Sequence, residues 1–82
     1  MLRDDPEIIK KRRELGERIG DLRAAAHHTQ DSLCNATGIS RSQLQRIEAG
    51  EADIRYSELL AIASAVNAEV SALGIIWPPT AR

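Results

Sequence analysis

Arg41, Ser42, Gln45 and Arg46 crowd four hydrogen-bonding side chains into a few residues. An arginine can make a bidentate contact to guanine O6 and N7, and a glutamine can do the same to adenine. Ser42, Gln45, Arg46 and Ala49 fall at i, i+3, i+4 and i+7, which places them on one face of a helix. That face lacks bulk and is rich in donors and acceptors, which suits the major groove of DNA. Arg46 is expected to read a base or clamp a phosphate. Gln43 is rotated toward a groove wall, and Arg55, in the following loop, is placed to meet the DNA backbone. An ordinary solvated helix face is the alternative for all of them.

Other chemistry finds less support. His27, His28 and Cys34 suggest a metal, but adjacent histidines rarely point at one ion, and one thiol is far short of a closed zinc site. No metal or other cofactor is expected, and Cys34 reads as a small packed residue. There is no glycine-rich phosphate cradle and no nucleophile paired with a base, so no enzyme is expected.

These side chains need helices to position them. Thr29 is an N-cap for a short helix over 30–37, in which Leu33 and Ala36 can face inward. Gly38 stops that helix, because it tolerates the left-handed conformation of a helix C-terminus. Ser40 caps a second helix over 41–49, with Leu44 and Ile47 as its buried positions. Two short helices around a tight turn, with an unspent polar face on the second, make a helix-turn-helix signature over 29–50.

The segment from about Leu15 to Leu73 resembles the helix-turn-helix domain of the lambda-repressor, Cro and XRE-type transcriptional regulators. The resemblance rests on Arg23, Thr29-Gln30, Leu33, Gly38-Ile39-Ser40, Leu44, Ile47-Glu48 and Gly50. Where many members carry Gly-Leu before the Thr-Gln pair this chain has His27-His28, and the usual Ala after Leu33 is Cys34. The resemblance implies that Gln30 touches a DNA phosphate and braces the first residue of the reading helix. The amides of the helix N-terminus add donors for that phosphate. It also implies that Arg41 inserts deeply, and that Arg23 and Glu48 form a structural ion pair between the first helix and the end of the third. Members pair through the region after the fourth helix. Here that region holds Val70, Leu73, Ile75, Ile76 and Trp77, expected as a homodimer interface.

The remaining elements follow from caps and periodicity. Asp5-Pro6-Glu7 is a strong helix start, and the pattern runs over 6–26 with Ile8, Leu15, Ile19, Leu22 and Ala26 on one side. Glu7/Lys11, Lys10/Glu14 and Glu14/Arg18 can pair along its exposed side, and the run Lys10-Lys11-Arg12-Arg13 reads as a solvated face. Ser57 is expected to cap a fourth helix over 57–66, with Leu59, Leu60, Ile62, Ala63 and Val66 apolar. A short fifth helix is expected over 69–75, and the prolines at 78 and 79 close the tail over 75–82. The expected fold is all-α: a five-helix, lambda-repressor-like domain with its core at 15–73 and an N-terminal helix extension at 5–14.

Composition bounds this reading. Eighty-two residues make one small domain. Apolar residues are 43% of the chain, with one Trp, one Tyr and no Phe, so the core must come from Leu, Ile, Val and Ala. A single Cys suits a reducing cytoplasm. No apolar run approaches the roughly 20 residues of a membrane span, and the charged start does not read as a signal peptide. A soluble, cytoplasmic protein with no membrane or small-molecule partner is expected. The net charge of −1 is unusual for a DNA binder, but its distribution softens the objection. Seven of the eleven basic residues (Arg3, Lys10, Lys11, Arg12, Arg13, Arg18, Arg23) lie near the start, and Arg41, Arg46 and Arg55 flank the reading helix.

The sequence therefore points to a DNA-binding transcriptional regulator, a repressor or controller protein acting on a double-stranded operator, with RNA polymerase as a candidate further partner. The rival is an antitoxin or interaction module that works chiefly on a protein partner. A helix-turn-helix that has lost DNA affinity would also fit the acidic balance.

Overall fold

In the computed structural model, residues 5–67 are described, and they form four α-helices: α1 (Pro6–Ala25), α2 (Gln30–Thr37), α3 (Arg41–Glu48) and α4 (Tyr56–Ala65). This corrects the five-helix expectation to four among the described residues. The anticipated helix over 69–75 and the interface residues Val70, Leu73, Ile75, Ile76 and Trp77 lie outside them.

Local capping starts each of the first three helices. Asp5 accepts from the Glu7 N–H at 2.8 Å, with Pro6 in the first helical position. Thr29 Oγ1 accepts from the Ser32 N–H at 3.0 Å, while Ser32 Oγ accepts from the Thr29 N–H at 2.9 Å. This is a reciprocal box with serine in the third helical position. Ser40 Oγ accepts from the Gln43 N–H at 3.1 Å.

The expected ends move by one residue. α1 stops at Ala25, and Ala26 caps it. α3 stops at Glu48, and Ala49 caps it. α4 begins at Tyr56 with Arg55, rather than Ser57, as its N-cap. The cause is Glu58, whose carboxylate reaches back to accept from the Arg55 N–H at 2.8 Å.

α1 ends in a Schellman turn: the His27 N–H donates to the Ala24 carbonyl and the His28 N–H to the Arg23 carbonyl, both at 3.0 Å. The turn puts His27 at φ 63°, in the left-handed region. A side chain there pays steric energy that glycine avoids. His27→Gly is therefore expected to raise stability by about 0.5–1 kcal/mol, read as a higher urea midpoint. A lower midpoint would show that the His27 side chain contributes more than its backbone strain costs. Gly38, also left-handed at φ 80°, closes α2 with a single bond to the Cys34 carbonyl at 2.8 Å, and the Ile39 N–H donates to Thr37 Oγ1 at 3.2 Å.

The core gathers Ile19, Leu33, Ile39, Leu44, Ile47, Leu59, Ile62 and Ala63, and Leu15, Leu22, Ala26 and Cys34 pack at its edge. α1 packs on α3, and α2 packs on both α3 and α4. Two expected inward positions are corrected: Ile8 (37% exposed) and Ala36 face outward, and the apolar Leu60 is 40% exposed. Ala36 and Leu60 sit at the margins of their helices' apolar arcs, whereas Ile8 is in line with Leu15 and Ile19 but lies in the first turn of α1. The solvated reading of Lys10–Arg13 also needs correction at one residue. Arg12 folds inward, its side chain only 15% exposed, and its Nε donates to Asp53 at 3.0 Å. That bond ties the loop after α3 onto α1. On the exposed side of α1, Lys11 pairs with Glu14 at 3.7 Å.

Candidate nucleic-acid interface

α3 is held by its buried edge. Leu44 and Ile47 are 0% and 2% exposed, and they set the rotation of the helix against the core. With that rotation, Arg41, Ser42, Gln45 and Arg46 are all exposed. The side chains of Ser42 and Gln45 make no hydrogen bond among the described residues. Arg41 forms an ion pair through Nη1 with Asp31 Oδ1, on the first turn of α2. Arg46 folds toward the helix end, where its Nη2 donates to the Glu51 carbonyl at 3.2 Å.

Glu48, the last residue of α3, joins three helices. Its Oε2 accepts from Arg23 Nε at 2.8 Å and its Oε1 from Arg23 Nη2 at 3.2 Å, a bidentate pair. Oε1 also accepts from Gln30 Nε2 at 3.1 Å. Arg23 Nη1 donates to the His28 carbonyl at 3.0 Å, which brings the turn after α1 into the same network. The hydrogen bond to Glu48 drives the Arg23 pKa further up against the opposing pull of desolvation, so Arg23 stays charged. Gln30 thus braces the last residue of α3, where the family resemblance implied the first. The Gln30 side-chain N–H that Glu48 does not use, with the backbone N–H groups of Gln30 and Asp31 ahead of the capped Ser32, is left for an outside acceptor.

Close approach makes this network possible. Gly16 is buried, and a Cβ built on it would stand 2.4 Å from the Ile47 carbonyl oxygen and 2.6 Å from that of Glu48. Four residues on, Gly20 lies beneath the Glu48 carboxylate. Neither glycine was expected as a determinant of the site. Their spacing of four inside a helical run was the available signal, since each costs about 1 kcal/mol there relative to alanine.

Gln43 and Arg55 share a groove at the adjoining starts of α3 and α4, with Ser40, Ser57 and Glu58. Gln43 Nε2 reaches Glu58 Oε1 at 3.5 Å, and the Arg55 side chain is exposed. The candidate metal residues do not converge. His28 Nδ1 lies 2.8 Å from Ser32 Oγ, His27 is exposed, and no metal-holding group of His, Cys, Asp or Glu occurs among the described residues. Burial, then the charge of Asp31, pushes the Cys34 thiol pKa up, which favours its protonated form. No described helix is long and apolar enough to cross a membrane.

A family model described as a helix-turn-helix domain matches residues 14–73. The chain belongs to the helix-turn-helix domain family. This helix-turn-helix protein is similar in structure to the restriction–modification controller protein C.AhdI from Aeromonas hydrophila, at 28% identity and a TM-score of 0.71. The match covers 74% of this chain and 92% of that one. It is also similar to an HTH_3 family transcriptional regulator from Vibrio cholerae, at 27% identity and a TM-score of 0.74. There the match covers 80% of this chain and 37% of the larger regulator. No curated protein matches the chain by sequence. The fold and these neighbours are those of DNA-binding transcriptional regulators.

Proposed function

We propose that this helix-turn-helix protein is a sequence-specific regulator of transcription that meets a palindromic double-stranded operator as a homodimer, with α3 in the major groove. The observation that carries this reading is the division of α3 into a core-locked edge and an exposed polar one. Leu44, Ile47 and the Glu48 network hold the helix rigid, and Arg41, Ser42 and Gln45 point outward. A reading helix needs both, because base-edge hydrogen bonds demand a fixed presentation. Arg41, Ser42, Gln45 and Arg46 are the proposed base readers, though Arg46 must leave the Glu51 carbonyl to serve. Gln30, Gln43 and Arg55 are the proposed phosphate contacts, which position the protein without reading sequence.

The homodimer is supported by the resemblance and by the apolar residues Val70, Leu73, Ile75, Ile76 and Trp77, which lie together in the chain. Pairing would set two reading helices about one DNA turn (~34 Å) apart. The similarity to a restriction–modification controller favours control by concentration and occupancy, with repression or activation following from where the operator lies. RNA polymerase would then be met at the promoter, and the cytoplasm is the proposed site of action.

Selection of bound duplexes from a random pool tests the reading directly, by yielding the site, its symmetry and its half-site spacing. On the selected site, Arg41→Ala should cost ~1–3 kcal/mol and relax preference at one position per half-site. The loss should be much smaller on a non-specific duplex. A uniform loss across a panel of single-base changes would make Arg41 a backbone contact. A pool that enriches no sequence, with a protein partner copurifying in stoichiometric amount, would favour the interaction-module reading.

A further inference from the structure

The ion pair between Asp31 and Arg41 links the second residue of α2 to the first residue of α3. Both side chains are largely exposed, 66% and 57%, so the pair adds little to the stability of the fold. Its consequences fall on the surface that a duplex would approach. An arginine has five N–H donors in a planar fork, and a bidentate contact to guanine uses two of them. Asp31 engages Nη1 and leaves the rest of the fork open.

We propose that Asp31 is a positioning residue for DNA specificity: it orients the Arg41 guanidinium toward a base edge and cancels its charge toward phosphate. This inference rests on the DNA-binding reading above and on Arg41 as a base reader. A carboxylate on one edge of the guanidinium restricts its rotation, so less freedom is lost when the other edge meets guanine. The same carboxylate opposes the attraction of Arg41 to the backbone, which is the part of binding that carries no sequence information. Asp31 therefore raises specific affinity while lowering non-specific affinity, and it does both through one contact.

The test is binding of wild type, Asp31→Asn, Arg41→Ala and the double variant to the selected operator and to an unrelated duplex, over a range of salt. Asp31→Asn keeps the shape of the side chain and removes its charge. It should lower the ratio of specific to non-specific affinity by about tenfold, and steepen the salt dependence on the unrelated duplex by about one unit, as one more arginine reaches phosphate. In the Arg41→Ala background, Asp31→Asn should leave the ratio unchanged. A purely structural role for Asp31 in α2 would move affinity for both duplexes by the same factor, and that result overturns the inference. A change in ratio that persists without Arg41 overturns it too, since the carboxylate would then act on DNA by itself. A wild type that binds no duplex overturns the DNA-binding reading and this inference together. A binding wild type whose ratio ignores Asp31→Asn overturns the inference alone.

Discussion

Glu48→Ala should destabilise the protein by about 2–4 kcal/mol and weaken its binding to every duplex alike. The carboxylate is only 12% exposed and faces an Arg23 side chain that is 20% exposed, so water can replace little of what is removed. Three charge-assisted contacts disappear together: two from Arg23 and one from Gln30. The larger cost is what remains, a half-buried guanidinium with its partner gone. The bond from Arg23 Nη1 to the His28 carbonyl, at 3.0 Å, would persist but cannot neutralise that charge. Glu48→Gln keeps an acceptor for Arg23 and should lose less. Urea unfolding with linear extrapolation measures the difference, and a loss below about 1 kcal/mol would show that solvent already screens the pair. The functional signature is uniform weakening across operator variants, because the residue holds the reading helix and reads no base itself.

Gly16→Ala should destabilise by about 2–3 kcal/mol, although alanine is the better helix former. Two effects oppose each other. Alanine in place of glycine inside a helix gains about 1 kcal/mol. Against that, the new methyl would sit 2.4 Å and 2.6 Å from the carbonyl oxygens of Ile47 and Glu48. Those are backbone atoms at the end of α3, so relief requires α1 and α3 to separate. Separation would stretch the Arg23–Glu48 bridge and loosen the seat of Ile47. Gly20 supplies the control. A Cβ there would meet Glu48 Oε1 at 3.5 Å, an ordinary contact, so Gly20→Ala should be neutral or stabilising by up to about 1 kcal/mol. Opposite signs at two glycines one turn apart would be read from paired denaturation curves. If both substitutions stabilise, the close approach of α3 to Gly16 is not a constraint.

The sequence by itself determined where helices begin and which of their residues form the centre of the core. Asp5, Thr29 and Ser40 each cap a backbone N–H two or three residues away, so the energy that starts those helices is contained in a few adjacent residues. Leu33, Leu44 and Ile47 fall on central apolar positions of short helices and are buried under any packing that uses those faces. Gly38 was legible because the left-handed turn it makes is local. The start of α4 was read one residue late, since Ser57 looked like a cap while Glu58 was already satisfying the Arg55 N–H.

Only the tertiary structure decided how far each helix is covered and which charged groups meet. Ile8, Ala36 and Leu60 share the periodicity of buried residues, but periodicity gives a direction and not the width of the neighbouring helix. Arg12 reads as one more cation in a basic run until the fold brings Asp53, 41 positions away, against it. Asp31 looks like an ordinary first-turn acid, and Arg41 like an unencumbered reader, until the α2–α3 turn joins them. Gln30 finds Glu48 only because α1, α2 and α3 converge where Gly16 leaves room. Capping and turn formation depend on neighbours along the chain. Ion pairing and close approach depend on neighbours in space, which the folded arrangement of all four described helices creates.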